Sequence, residues 1–194
     1  MKRILKNVDS EIIQKKLSYK KSNNKTLANI LLREQKNFCA YTEEYIGIND
    51  AADIEHFNPN LKYQKEDSYQ NWFMVKHKPN NLKRTNWIEP ILHPSSEDFE
   101  IRLIYSEGIF YHDPKDIATK NLIDLLNLND EIFVKNRRKF IQRKKDRIAE
   151  KGILAIDYFQ EIIQNEIESI KYLRAIQEEF EIPIWNMIPE IESQ

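Results

Sequence analysis

Residues 53–60 read DIEHFNPN and residues 71–76 read NWFMVK. The first stretch sets an acid before a histidine and closes on Asn58-Pro59-Asn60, which is turn chemistry. The second is strand-like or the entry to a short helix, and Glu66-Asp67-Ser68 between them is again loop composition. The spacing fits a hairpin with a long polar loop, then a short helix that starts at Asn80 after Pro79. Four polar residues fall on this frame: Glu55, His56, Asn71 fifteen residues after the histidine, and Asn80 nine residues further on. A neutral imidazole can deprotonate water near neutral pH. A carboxylate and an amide carbonyl are oxygen ligands suited to a hard divalent cation on a phosphate. A further polar side chain can pin the loop that carries the base.

Outward from this stretch, Leu27, Ile30, Leu31 and Glu34 are spaced for a helix over 25–37, and 39–52 reads as turns and short strands around Gly47. Residues 99–112 alternate apolar and polar around Ser106-Glu107-Gly108, which predicts a second β-hairpin. After Pro114 the pattern is helical: DIATKNLIDLLNLND as one helix ending near Asn129, then a basic helix over 131–150. From 153 to 180 an apolar stripe runs through Ile156, Phe159, Ile163, Ile167, Ile170, Leu173, Ile176 and Phe180, and Pro183 stops it. Such a stripe predicts core or partner contact. No internal repeat or low-complexity linker interrupts the chain.

With 41% hydrophobic and 31% charged residues in 194, the composition is that of a folded protein rather than a disordered one. No apolar run approaches the ~20 residues of a membrane span, and MKRILKNVDSEII lacks the apolar core of a secretory signal, so a cytoplasmic chain is expected. Three glycines leave no room for a glycine-rich phosphate loop, which excludes a self-contained NTPase. The net charge of −1 conceals asymmetry. Residues 135–147 (KNRRKFIQRKKDR) hold eight basic residues against one acid, whereas from Glu150 onward ten acids face three basic residues. The basic run is a candidate track for nucleic acid or a face for an acidic partner.

Taken together, FCAYTEEYI, DIEHFNPN and YQNWFMVKHKPNNLKR resemble the HNH, or ββα-metal, endonuclease family. Its members read C-A-Y-C, then acid-His-Phe-x-Pro, then N-L-V, then C-x-x-C-N-x-x-K. The resemblance implies an α+β chain: a ββα-metal HNH core embedded in a mostly helical domain, with a C-terminal helical region. It implies Glu55 as first metal ligand, His56 as general base and Asn71 as the residue that orients the base loop. Asn80 falls on the last ligand position by the N-x-x-K spacing, with Asn81 the alternative, and Lys83 and Arg84 are implied nucleic-acid contacts. Asp53, on the same strand face as Glu55 by period-2 alternation, is a second candidate acid. One catalytic Mg²⁺ or Mn²⁺ is implied.

The family also builds a structural zinc site from two C-x-x-C pairs. Here those positions hold Cys39 with Thr42 and Lys76 with Pro79, and Cys39 is the only cysteine, so the zinc site is expected to be absent. Phe38, Tyr41, Trp72 and Phe73 are the expected apolar replacement, and His77 is expected at the surface or near substrate. IEPILHPSS, YSEGIF and LLNLNDEIFVKNRR match, in order, the tail of a bacterial HNH subgroup that partners an ABC-type ATPase in anti-phage defence of the Septu and retron-associated kind. The expected organisation is an N-terminal helical segment over 1–38, a nuclease core with its following hairpin over 39–114, and a partner-binding helical region over 115–194. The expected activity is endonucleolytic hydrolysis of nucleic acid, DNA first. The alternatives are a degenerate, non-catalytic HNH module bridging a partner and nucleic acid, and an RNase acting on structured RNA.

Overall fold

The computed structural model describes residues 1–77, 83 and 85–192. Helices and two small antiparallel hairpins share one continuous hydrophobic core, so the chain is of mixed α and β structure. The core cluster takes Leu27 and Leu31 from the N-terminal segment, Phe57, Phe73 and Leu103 from the centre, and Phe159, Ile176 and Ile184 from the C-terminal region.

A short helix α1 (Glu11–Gln14), with Ser10 as its N-cap, leads to α2 (Lys25–Glu34), which buries Leu27, Ile30 and Leu31. The spacing predicts that α2 continues to residue 37, but it stops at Glu34. Gln35 explains the stop. Its side-chain amide donates to the carbonyls of Phe38 and Met74 at 2.8 and 2.9 Å, and its carbonyl accepts from Met74 N at 2.8 Å. This clamp turns the chain through Lys36 and Asn37, both at positive φ, and ties the helix end to the next hairpin.

That hairpin pairs β1 (Ala52–His56) with β2 (Trp72–Lys76), Glu55 opposite Phe73 and His56 opposite Trp72. Phe57 N donates to Asn71 O at 2.8 Å, extending the pairing beyond the strand ends. The expected helix start at Asn80 lies outside the described residues.

Phe99–Arg102, expected in the second hairpin, instead form one turn of helix, α3. Phe99 is fully buried there, and the amides of Ile101 and Arg102 return to Asp98 O. The hairpin follows as β3 (Ile104–Ser106) and β4 (Ile109–Tyr111). Glu107 and Gly108 both have positive φ, the two-residue geometry that suits strand twist. A Cβ on Gly108 would come 2.8 Å from the Arg138 side chain, so the turn needs glycine for space as well as for φ.

Helix α4 (Ile117–Leu125) ends before the expected Asn129, because Asn129 is drawn out to bond the backbone of Phe110. Helix α5 (Glu131–Lys151) is capped by Asp130 and closed by Gly152 in the left-handed conformation. The stripe over 153–180 is not one helix. It divides into α6 (Ala155–Glu166) and α7 (Leu173–Phe180), with a 3₁₀ turn and Tyr172 at φ 59° between them. Glu43 is the physical reason: its carbonyl takes the Tyr172 amide at 3.1 Å and its carboxylate the Arg174 amide at 3.0 Å. A last turn, α8 (Ile184–Met187), packs on α7 and α6, and Lys36 Nζ reaches the carbonyls of Trp185 and Ile188. The acidic C-terminal segment is thus partly consumed in holding residues 36–43 in place.

Among the described residues no helix is long and apolar enough to cross a membrane.

Candidate active site

The loop from Phe57 to Asn71 must return to the start of β2 with its polar groups satisfied. Asn71 does most of this. Its Oδ1 accepts from Asn58 N at 2.7 Å and its Nδ2 donates to Asn58 O at 3.1 Å, so both ends of the amide grip one residue across the loop. Nδ2 also donates to Asp67 Oδ1 at 2.9 Å, an oxygen that takes a second bond from Trp72 Nε1 at 2.8 Å. Asp67 Oδ2 lies 3.0 Å from His56 Nε2, off the line of an ideal hydrogen bond. The imidazole is further fixed by the Tyr19 ring, edge-on at 4.4 Å. A chain of contacts therefore runs from Asn58 through Asn71 and Asp67 to His56. Burial lowers the His56 pKa, the Asp67 carboxylate pulls it back up, and the Lys62 ammonium lowers it further. The neutral imidazole is favoured.

Glu55 sits beside His56 on β1. Its Oε1 is 2.7 Å from Lys83 Nζ and 3.4 Å from the Tyr41 hydroxyl, while Lys83 Nζ also donates to His56 O at 3.3 Å. Burial pushes the Glu55 carboxyl up, and Lys83 opposes that rise. Glu55, His56, Asn71 and Lys83 are exposed by only 6, 4, 5 and 1%. Lys83, expected to touch phosphate, is therefore spent on Glu55 instead of facing outward. Among the described residues Lys62 is an exposed cation by the site, over the rings of Tyr19 and Tyr63.

Asp53 Oδ2 meets His77 Nδ1 at 2.7 Å, and His77 is exposed as expected. Asn80 and Arg84 lie outside the described residues. Among the described residues no three His, Cys, Asp or Glu side chains converge as a metal-binding group. The fit to a divalent cation rests on Glu55. It is a buried carboxylate whose Oε1 is taken by an ammonium, and among the described residues Oε2 has no hydrogen-bond or ion-pair partner. That donor chemistry suits a hard cation on Oε2, with Lys83 as a competitor for the same charge.

Phe38, Tyr41, Trp72 and Phe73, the expected apolar replacement for a zinc site, are all buried. Cys39 Sγ accepts from Lys76 N at 3.3 Å and Ala40 N donates to Met74 O at 3.0 Å. Backbone pairing and apolar packing hold this corner. His93 packs edge-on against Phe57 at 5.1 Å and bonds Ser95, and burial lowers its pKa to about 4. His112 is half-buried and bonds the Asp113 carbonyl.

No family model, curated protein or solved structure matches this chain.

Three residues at the site escaped sequence reading: Asp67, Tyr19 and Lys62. Glu66-Asp67-Ser68 carries the composition of any polar loop, and nothing in it marks Asp67 as the histidine's partner. Tyr19 comes from before α2, and only the folded chain brings it to His56.

Proposed function

We propose that this chain is a metal-dependent HNH-type endonuclease that hydrolyses phosphodiester bonds in nucleic acid, DNA first. The observation that carries this reading is the Asn58–Asn71–Asp67–His56 chain of contacts beside a buried Glu55. It sets a buried carboxylate against the imidazole, a contact that packing alone does not require. In the tautomer that carries its proton on Nε2, facing Asp67 Oδ2 at 3.0 Å, Nδ1 is the nitrogen that takes a proton from the attacking water. Asn71 and Asp67 position the base; neither touches the reacting atoms. Lys62, exposed beside the site, would meet the substrate phosphate. Glu55 through Oε2, with Asn80 from the sequence motif, would hold Mg²⁺ or Mn²⁺, which supplies charge stabilisation on the phosphate when bound. No feature of the sequence motif reads a base edge, so cleavage without strong sequence preference is expected.

The motif order of the tail supports a place in a defence complex with an ABC-type ATPase, which would bring substrate and control activation. The test is cleavage of plasmid with Mn²⁺, with the ATPase partner present, by wild type and His56→Ala. Cleavage lost in the variant is expected; equal behaviour of the two overturns the reading. Parallel DNA and tRNA arms separate a DNase from an RNase.

One observation favours a second reading. Lys83 neutralises Glu55 in the folded chain, as a non-catalytic module bridging partner and nucleic acid would allow. Mn²⁺ titration decides: binding that depends on Glu55 supports the enzyme, and none supports the module.

A further inference from the structure

The basic run of α5 is divided by the fold into two sets. Arg137 is buried and donates to the carbonyls of Gly108 and Leu128, Arg138 donates to Glu107 O, and Lys145 pairs with Glu179. These three hold the second hairpin and α7. Apart from the half-buried Lys144, the rest form a ridge: Lys135, Lys139, Arg143, Arg147 and Lys151 follow at strict four-residue steps, all exposed. Four residues of helix advance ~6 Å, so the ridge spans ~24 Å on one inclined row.

Its C-terminal half forms one wall of a groove of about 530 Å³ between α5, α6 and the turn after α6. Arg143, Lys144, Arg147, Lys151 and Lys171 line it against two carboxylates, Glu161 and Glu166. Lys151 takes Glu161 at 2.8 Å, and Arg147 reaches Glu150 only at 3.8 Å. Among the described residues Arg143, Lys144 and Lys171 have no carboxylate within ion-pair distance. The groove floor is aromatic. Lys144 Nζ lies 5.3 Å and Lys171 Nζ 5.8 Å from the Phe140 ring centroid, so one ring carries two ammonium groups. Lys144 is also 5.5 Å from the Tyr158 centroid; burial lowers its pKa, the Glu166 carboxylate opposes that fall, and the Arg147 and Lys171 cations add to it. Holding like charges together in a half-buried groove is unfavourable unless an anion completes it.

We propose that this groove and the ridge leading into it bind the phosphodiester backbone of nucleic acid. A single small phosphate would occupy the groove but not the ridge; a polymer with regularly repeated phosphates matches both. Arginine forks and flexible ammonium groups give phosphate contact without sequence readout. The choice of a phosphodiester polymer rests on the nuclease reading, but the surface is testable without catalysis.

The test is fluorescence anisotropy of the full chain with labelled duplex and single-stranded oligonucleotides, in chelator, across a salt series. Arg143→Gln/Arg147→Gln is expected to weaken binding about tenfold at low salt and to reduce the salt slope by about 2, because each phosphate contact contributes ~0.9. The exposed pair Lys115→Gln/Lys120→Gln should change neither. Matched melting curves for both variants establish that folding is intact. An unchanged slope in the groove variant, an equal loss in the control pair, or displacement by poly-glutamate as effective as by oligonucleotide each overturns the proposal. Cleavage plays no part in this readout, so a failed nuclease reading and a failed groove are told apart.

Discussion

The hairpins β1–β2 and β3–β4 each have an asparagine that grips the backbone of one residue with both ends of its amide. Asn71 holds Asn58 at 2.7 and 3.1 Å, and Asn129 holds Phe110 at 2.8 and 2.7 Å. Around Asn129 the partners are structural: a two-residue turn and the carbonyls of Glu107 and Gly108 taken by arginines of α5. Around Asn71 the same grip continues into Asp67 and His56, with Glu55 and Lys83 buried alongside. Pairing two strands does not require those groups, as the second hairpin demonstrates. Burying them costs desolvation that an apolar pair would avoid. The second hairpin is thus an internal control for what the first one does beyond folding.

The sharpest way to break this comparison is Asp67→Asn. An amide at this position presents N–H to His56 Nε2, which moves the ring proton to Nδ1 and leaves no base for water. Cleavage is expected to fall at least ~10³-fold, with Asp67→Ala less severe, in a single-turnover assay on oligonucleotide. A milder effect for Asn than for Ala would refute the tautomer role.

Next in size is Lys83→Met. Removing one member of a buried ion pair leaves Glu55 uncompensated, at a cost of ~3 kcal/mol without metal. Mn²⁺ should raise the melting temperature of this variant more than that of wild type, since Glu55 then lacks its internal cation. Equal Mn²⁺ shifts in calorimetry would remove Glu55 from any metal site.

Asn71→Ala set against Asn129→Ala separates positioning from stability. Both should destabilise by about 1–2 kcal/mol in urea unfolding. Only Asn71→Ala should also lower cleavage, by about 100-fold, because the base loop is no longer held. Parallel losses of activity would mean that the hairpins do not differ in role.

The smallest expected effect is in pH dependence. His56 and His93 both have pKa values lowered by burial, so the folded chain binds fewer protons than the unfolded chain. Their contribution to stability is complete above the unfolded histidine value near 6.5 and is lost as pH falls through the folded values, about 4 for His93. His93→Phe should flatten the fall in melting temperature between pH 7 and pH 5 while leaving cleavage unchanged. A fall as steep as in wild type would show that His93 is not a source of the acid sensitivity.

How much of this was legible in the sequence follows from what each feature depends on. The first hairpin, the second hairpin's turn at Glu107-Gly108, and the basic helix rest on local preferences: turn residues, alternation and caps. Element ends were less legible, because distant groups decide them. Gln35 ends α2 by bonding Met74, Glu43 breaks the 153–180 stripe, and Asn129 leaves α4 for Phe110. At the candidate site Glu55, His56 and Asn71 stand out by type and spacing. Asp67 and Tyr19 do not, since a loop aspartate and a tyrosine before α2 have no local mark of their target.

The sequence by itself determined the residue types of the site and the density of charge on α5, because composition and spacing are local. Only the tertiary structure decided which charges face solvent. It buried Lys83 against Glu55, fixed Arg137 and Arg138 to the second hairpin, and left Lys135, Lys139, Arg143 and Arg147 outward on one row. The physical reason is that a cation's role depends on its nearest acceptor, and in this chain those acceptors come from segments far away in sequence.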